Sequence, residues 1–207
     1  MKTKNILLYL LAATLVGCVP SLHSLFTDKN LVFADVFLGL WTSDSANDTW
    51  ELRRYSDNKD KRYRLIHIDH EKGKHGRFLV TFGKLNDMLF ADFYPEDIES
   101  DASYFYQCHQ LFVHTFGKIE PNDSELVIRM MDPDKVKTLL QNEPNLIKHE
   151  VIKDQEDSKI VLTAPTEELQ KFVAKYANDP NIFGGGTILK RKIQGPKDPN
   201  CTSQKKN

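Results

Sequence analysis

The sequence predicts a mainly β protein with two helices: an antiparallel meander closed into a barrel or bent into a strongly curved sheet. Three observations predict it. From Asp35 to Met131, apolar and polar residues alternate in short runs. Turn clusters of Ser, Asp, Asn and Gly separate those runs at about ten-residue spacing. Past Met131 the apolar period lengthens from two residues to that of a helix, twice.

The predicted strands follow in order. Val36–Trp41 is the first, and Thr49–Arg54 the second, beyond a Ser/Asp/Asn turn. Arg62–Asp69 alternates Tyr63, Leu65 and His67 against Arg64, Ile66 and Ile68. Gly73–Gly76 is a hairpin turn, and Arg77–Leu85 then sets Phe78, Val80 and Phe82 on one face. Asn86-Asp87 turns the chain into Met88–Tyr94. A polar loop leads to Tyr104-Phe105-Tyr106, and Leu111–Ile119 and Glu125–Met131 complete the meander.

Asp132 is placed to cap a helix whose first residue is Pro133, with Val136, Leu139 and Leu140 as its apolar stripe. A strand pair is expected at Ile147–Lys153 and Lys159–Thr163. A second helix opens at Pro165-Thr166. Glu167 and Glu168 suit its dipole, and Leu169, Phe172, Val173 and Tyr176 line one side. Gly184-Gly185-Gly186 leads to a last strand, Thr187–Ile193.

Ahead of this body stand a basic Met-Lys-Thr-Lys, an uncharged run from Ile6 to Val16, and Gly17-Cys18. The layout is that of a signal peptide, too short for a stable membrane span. Leu15-Val16-Gly17-Cys18 resembles the lipobox of bacterial lipoproteins. That resemblance implies cleavage between Gly17 and Cys18 and a lipid on the Cys18 thiol. Val19, rather than aspartate, follows Cys18, which implies the outer membrane. No acidic cluster for surface export follows, so the periplasmic side is expected. The expected organisation is residues 1–17 as leader, 18–34 as lipid-anchored segment, 35–194 as one β-rich domain and 195–207 as disordered tail. Leu22, Leu25 and Phe26 are expected to dock the anchored segment on the body.

With 28 basic and 29 acidic side chains, the surface is close to neutral, against a nucleic-acid partner. Cys18 being used by the lipid, Cys108 and Cys201 remain, able to bridge or to stay free in an oxidising compartment.

Signals for catalysis are weak. His67 and His70 flank Asp69 but point to opposite faces of a strand, as do His109 and His114 on theirs, so no metal site is expected. There is no Gly-x-Ser-x-Gly, and Cys108-His109 are only sequence neighbours. Gly184-Gly185-Gly186 precedes a strand and reads as a turn rather than a phosphate cradle. Asp97, Glu99 and Asp101 read as a solvated charge run. No catalytic residue and no cofactor are assigned. The aromatic residues say more: in a barrel one alternate face lines the interior. Phe78, Val80, Phe82, Phe90 and Phe116 are the candidate lining of an apolar pocket, or else simply a packed core.

Gly39-Leu40-Trp41 resembles the Gly-x-Trp signature of lipocalins and related calycins. The resemblance implies that Trp41 closes one end of a barrel beneath a basic side chain of the last strand, Arg191 or Lys190. Cys18-Val19-Pro20-Ser21-Leu22-His23, Asp132-Pro133-Asp134, Leu162-Thr163-Ala164 and Thr166-Glu167-Glu168-Leu169-Gln170 resemble a group of uncharacterised bacterial lipoproteins, which implies an address and no activity. The expected protein is a non-enzymatic, lipid-anchored envelope protein, binding an apolar ligand in its barrel. An envelope protein-interaction module is the alternative, and an enzyme with an unrecognised site the third reading.

Overall fold

The computed structural model describes residues 18–43, 47–56, 60–96, 109–122, 124–153 and 158–192. The leader with Gly17, the Asp97–Asp101 run, Tyr104–Tyr106, both Cys108 and Cys201, and the tail lie outside these residues.

Eight antiparallel strands close into a barrel. They are β2 (Gly39–Ser43), β3 (Asp48–Arg54), β4 (Tyr63–Asp69), β5 (Lys74–Leu85), β6 (Met88–Pro95), β7 (Thr115–Pro121), β8 (Glu125–Met130) and β11 (Thr187–Arg191). Sequential neighbours pair throughout, and β11 closes the ring between β8 and β2. A short β1 (Leu31–Val32) takes the edge of β5 beyond Val80, where β4 has ended. Asn86 and Asp87, both at positive φ, make the two-residue turn between β5 and β6.

Strand boundaries differ from expectation where local chemistry is richer than alternation. The first predicted strand is split: Asp35–Phe37 is a 3-10 turn, and extended pairing starts only at Gly39. The turn before β5 ends earlier than predicted, since Lys74 to Gly76 already pair with β4. β7 starts at Thr115, later than predicted, and β9 (His149–Lys153) starts at His149.

The helical signals are where the sequence places them. Helix α1 (Pro133–Asn142) opens with the Asp132 carboxylate accepting from the N–H groups of Asp134 and Lys135. β9 and β10 (Ser158–Leu162) form a separate hairpin, and α2 (Thr166–Tyr176) follows.

Two cores result. One fills the barrel: Trp41, Leu52, Tyr63, Leu65, Val80, Phe82, Ile119, Leu126 and Leu189 lie among its buried residues. The other lies outside it, where Val136, Leu140, Leu169, Phe172 and Val173 of the two helices meet Phe90 and Phe116 of the wall. The barrel wall is therefore apolar on both faces at β6 and β7, which locks the helices onto it.

Residues 18–26 belong to this second core. Val19 is 2% exposed and Ser21 0%. Ser21 exchanges both backbone hydrogen bonds with His114, and the flanking Pro20 and Leu22 bond Leu162 of β10. Leu25 and Phe26 are buried as expected, but Leu22 points to solvent, because the backbone pairing on both sides turns its side chain outward.

The candidate ligand site at the barrel mouth

One end of the barrel is closed. Gly39, at φ +123°, turns the chain out of the 3-10 turn into β2, and Phe37 packs inward against Phe82 and Tyr63. Trp41 is fully buried, and its Nε1–H donates to the carbonyl of Phe37 (3.1 Å). The Arg191 guanidinium lies over the indole, 4.2 Å from the ring centre. It also donates to the carbonyls of Leu38 (2.9 Å) and Val36. So Gly39, Trp41 and Arg191 come together, and Arg191 rather than Lys190 meets the ring. Tyr63 adds a further clasp: its hydroxyl donates to the Ala34 carbonyl (3.0 Å) and accepts from the Ala34 N–H (2.8 Å). Burial pushes the Tyr63 phenol up to about 12, because the phenolate would be desolvated there.

The opposite end holds a cavity of about 260 Å³, lined chiefly by Trp50, Leu65, His67, Phe78, Phe93, Ile128 and Met130. Thr115 and Thr187, the first residues of β7 and β11, sit at its rim with Cys18. The cavity is mostly apolar with a polar wall on β3 and β4. His67 Nε2 lies 3.0 Å from the buried Asp48 carboxylate, and the Trp50 ring packs edge-on to both His67 and Phe93. Asp48 and Trp50 share one face of β3, and each carries a buried polar atom without a protein partner, Oδ1 and Nε1. One is an acceptor and the other a donor.

The predicted lining divides three ways. Phe78 lines the cavity. Val80 and Phe82 face the barrel interior but belong to its filled part; Phe82 is stacked on Phe37. Phe90 and Phe116 are corrected: both face out of the barrel, into the core beneath the helices. The register explains it. Phe90 is opposite Gly83 and Phe116 opposite Asp92, whereas Ala91 and Phe93 share the inward parity with Phe82 and Val80, their partners on β5.

The residues missed are those of the mouth: Trp50, Leu65, His67, Phe93, Thr115, Ile128, Met130 and Thr187. Alternation placed Leu65 and His67 on one face, but nothing local marks which third of a barrel stays unfilled.

The histidines disperse. His67 faces Asp48 inside, His70 Nε2 meets Thr49 Oγ1 at 2.7 Å outside, and His114 Nδ1 meets buried Asp92 at 2.8 Å on the outer wall. The second oxygen of Asp92 accepts from the Leu25 N–H (2.8 Å). With Gln170 donating to the Leu25 carbonyl and Thr166 to that of Ser24, this N-terminal segment is clamped between β6 and α2.

No family model, curated protein or solved structure matches this chain.

Proposed function

We propose that this is a lipid-anchored protein of the bacterial cell envelope that binds, without transforming, a small apolar or single-chain amphiphilic ligand in the mouth of its barrel. The carrying observation is the cavity of about 260 Å³ at one end of a barrel whose other end is plugged by Phe37, Trp41 and Arg191. It is smaller than the roughly 300–1,000 Å³ of drug-sized sites, so a slender ligand fits best. Its lining is aromatic and aliphatic, as such sites are. The orphan Trp50 Nε1–H and Asp48 Oδ1 favour a ligand whose polar end both accepts and donates, as a hydroxyl does. A carboxylate would meet the Asp48 charge.

The address rests on Leu15-Val16-Gly17-Cys18. Cys18 is the lipidated residue in this reading, and the outer membrane, periplasmic side, the location. Titration of the delipidated body with a fluorescent fatty alcohol and with the matching fatty acid tests the function. Saturable binding, tighter for the alcohol, supports the reading. No saturation by either ligand removes it.

A protein-interaction role has one observation in its favour. Val151 and Ile152 are exposed on opposite faces of β9, and among the described residues β9 pairs only with β10. Such an edge can take a partner strand. Photo-crosslinking from position 151 in the native envelope tests it, and a single defined adduct would favour this role.

A further inference from the structure

We infer that the mouth of the barrel is the face laid on the membrane, so that the cavity opens onto acyl chains rather than onto water. The inference rests on the lipid anchor at Cys18 proposed above and adds its consequence for orientation.

Cys18 is itself part of the cavity rim, beside Thr115, Met130 and Thr187. No tether separates it from the body. Val19 is buried in the next position, Ser21 is paired on both sides, and Asp92 holds the Leu25 N–H. A lipid on Cys18 therefore cannot let the body tumble at a distance from the bilayer. It fixes the mouth within one residue of the anchor.

The surface around the mouth is built accordingly. Leu111, on the lead into β7, is 73% exposed. Leu22 is exposed beside Ser21, the partner of His114, and Ile188 is exposed next to the rim residue Thr187. Lys72 and Lys74 lie on the β4–β5 turn at the same end, and both are exposed. Exposed apolar side chains that dip into the interface, with lysines at headgroup level, are what a lipid surface selects. Trp50 in the cavity wall has an apolar body and a free N–H, the amphipathic character of interfacial tryptophan. At the plugged end Trp41 is wholly buried.

Leu111 at the mouth and Val36 in the 3-10 turn at the plugged end are both exposed and mark the two ends, and they supply the test. The full lipidated chain is purified from membranes and its mass checked for lipid. It is then placed in phosphatidylcholine vesicles with or without bromine on the lipid acyl chains, and tryptophan emission is read. The emission that Leu111→Trp adds to wild type is expected to fall several-fold more with bromolipid than the emission that Val36→Trp adds. Both substitutions replace exposed side chains, so neither variant has to repack the core. Quenching at position 111 no stronger than at position 36, in chains whose mass carries the lipid, overturns the orientation and leaves the anchor standing. A mass without lipid overturns the anchor and this inference together.

Discussion

Arg191 lies over Trp41 with its guanidinium carbon 4.2 Å from the ring centre, and so ties the last strand of the barrel to the first. Two more of its contacts run to carbonyls on the approach to β2, at Val36 and Leu38. A lysine offers one compact charge and no planar fork. Arg191→Lys is therefore expected to cost about 2 kcal/mol of stability, from the lost stacking and charged hydrogen bonds. Arg191→Ala is expected to cost no less. Urea midpoints of the three proteins check it, and equal midpoints for wild type and lysine variant would refute it.

Trp41 fills the closed end and is fully buried. Trp41→Ala is expected to cost about 3–5 kcal/mol, as large core truncations do. An unchanged denaturant midpoint would mean that Trp41 is not part of the plug.

Tyr63 gives the plug a pH signature. Its folded-state value is raised to about 12, because burial disfavours the phenolate. An unfolded tyrosine titrates near 10, so the folded state holds the proton more tightly. The resulting stability is complete below about pH 10 and is lost as pH rises through about 12. Tyr63→Phe should lose about 1–3 kcal/mol at neutral pH, since both hydrogen bonds to Ala34 go. It should also lose less stability than wild type between those two pH values. Chemical denaturation of both proteins across that range decides the matter, and parallel pH curves would contradict the assignment.

The parts of this architecture that were legible in sequence are those set by local chemistry. Asp132 with Pro133 marks a helix start whatever surrounds it, and the side chain caps as expected. Tyr63, Leu65 and His67 were placed on one face because β4 contributes to the barrel core on one side only. Phe90 and Phe116 were misplaced for the converse reason. β6 and β7 are covered inside by the barrel core and outside by the helices, so large apolar residues occur at both parities and alternation loses its meaning. The cavity was illegible at a further level. Whether Phe78 lines space and Phe82 fills it depends on Phe37, which reaches in from a 3-10 turn far away in sequence. The Asp92 clamp joins residues 67 apart and has no sequence pattern at all.

That clamp is testable. Asp92 is almost fully buried and accepts from the Leu25 N–H while facing His114. Asp92→Ala leaves both groups without their partner and should cost about 1–3 kcal/mol. Amide exchange at Ser21 and Leu25 should accelerate far more than at Leu65 or Val80 inside the barrel. Uniform acceleration across the chain would show that the segment is not held by Asp92 in particular.

The last prediction concerns the cavity itself. Ligand binding in a closed barrel needs unfilled volume, and the cavity at the mouth is lined by Phe78 and Phe93 but not by Phe82. Thr115 stands at that rim as the first residue of β7, only partly buried, so a larger side chain there can enter the cavity without displacing the packed core. Thr115→Phe should weaken a fluorescent fatty alcohol by tenfold or more, about 1.4 kcal/mol, and leave the denaturant midpoint within about 0.5 kcal/mol of wild type. Phe90→Leu is the control. Phe90 lies in the outer core, so its truncation should lower stability by about 1 kcal/mol and leave affinity untouched. The opposite result, with affinity lost at Phe90 and kept at Thr115, would move the site out of the barrel and onto the surface between wall and helices.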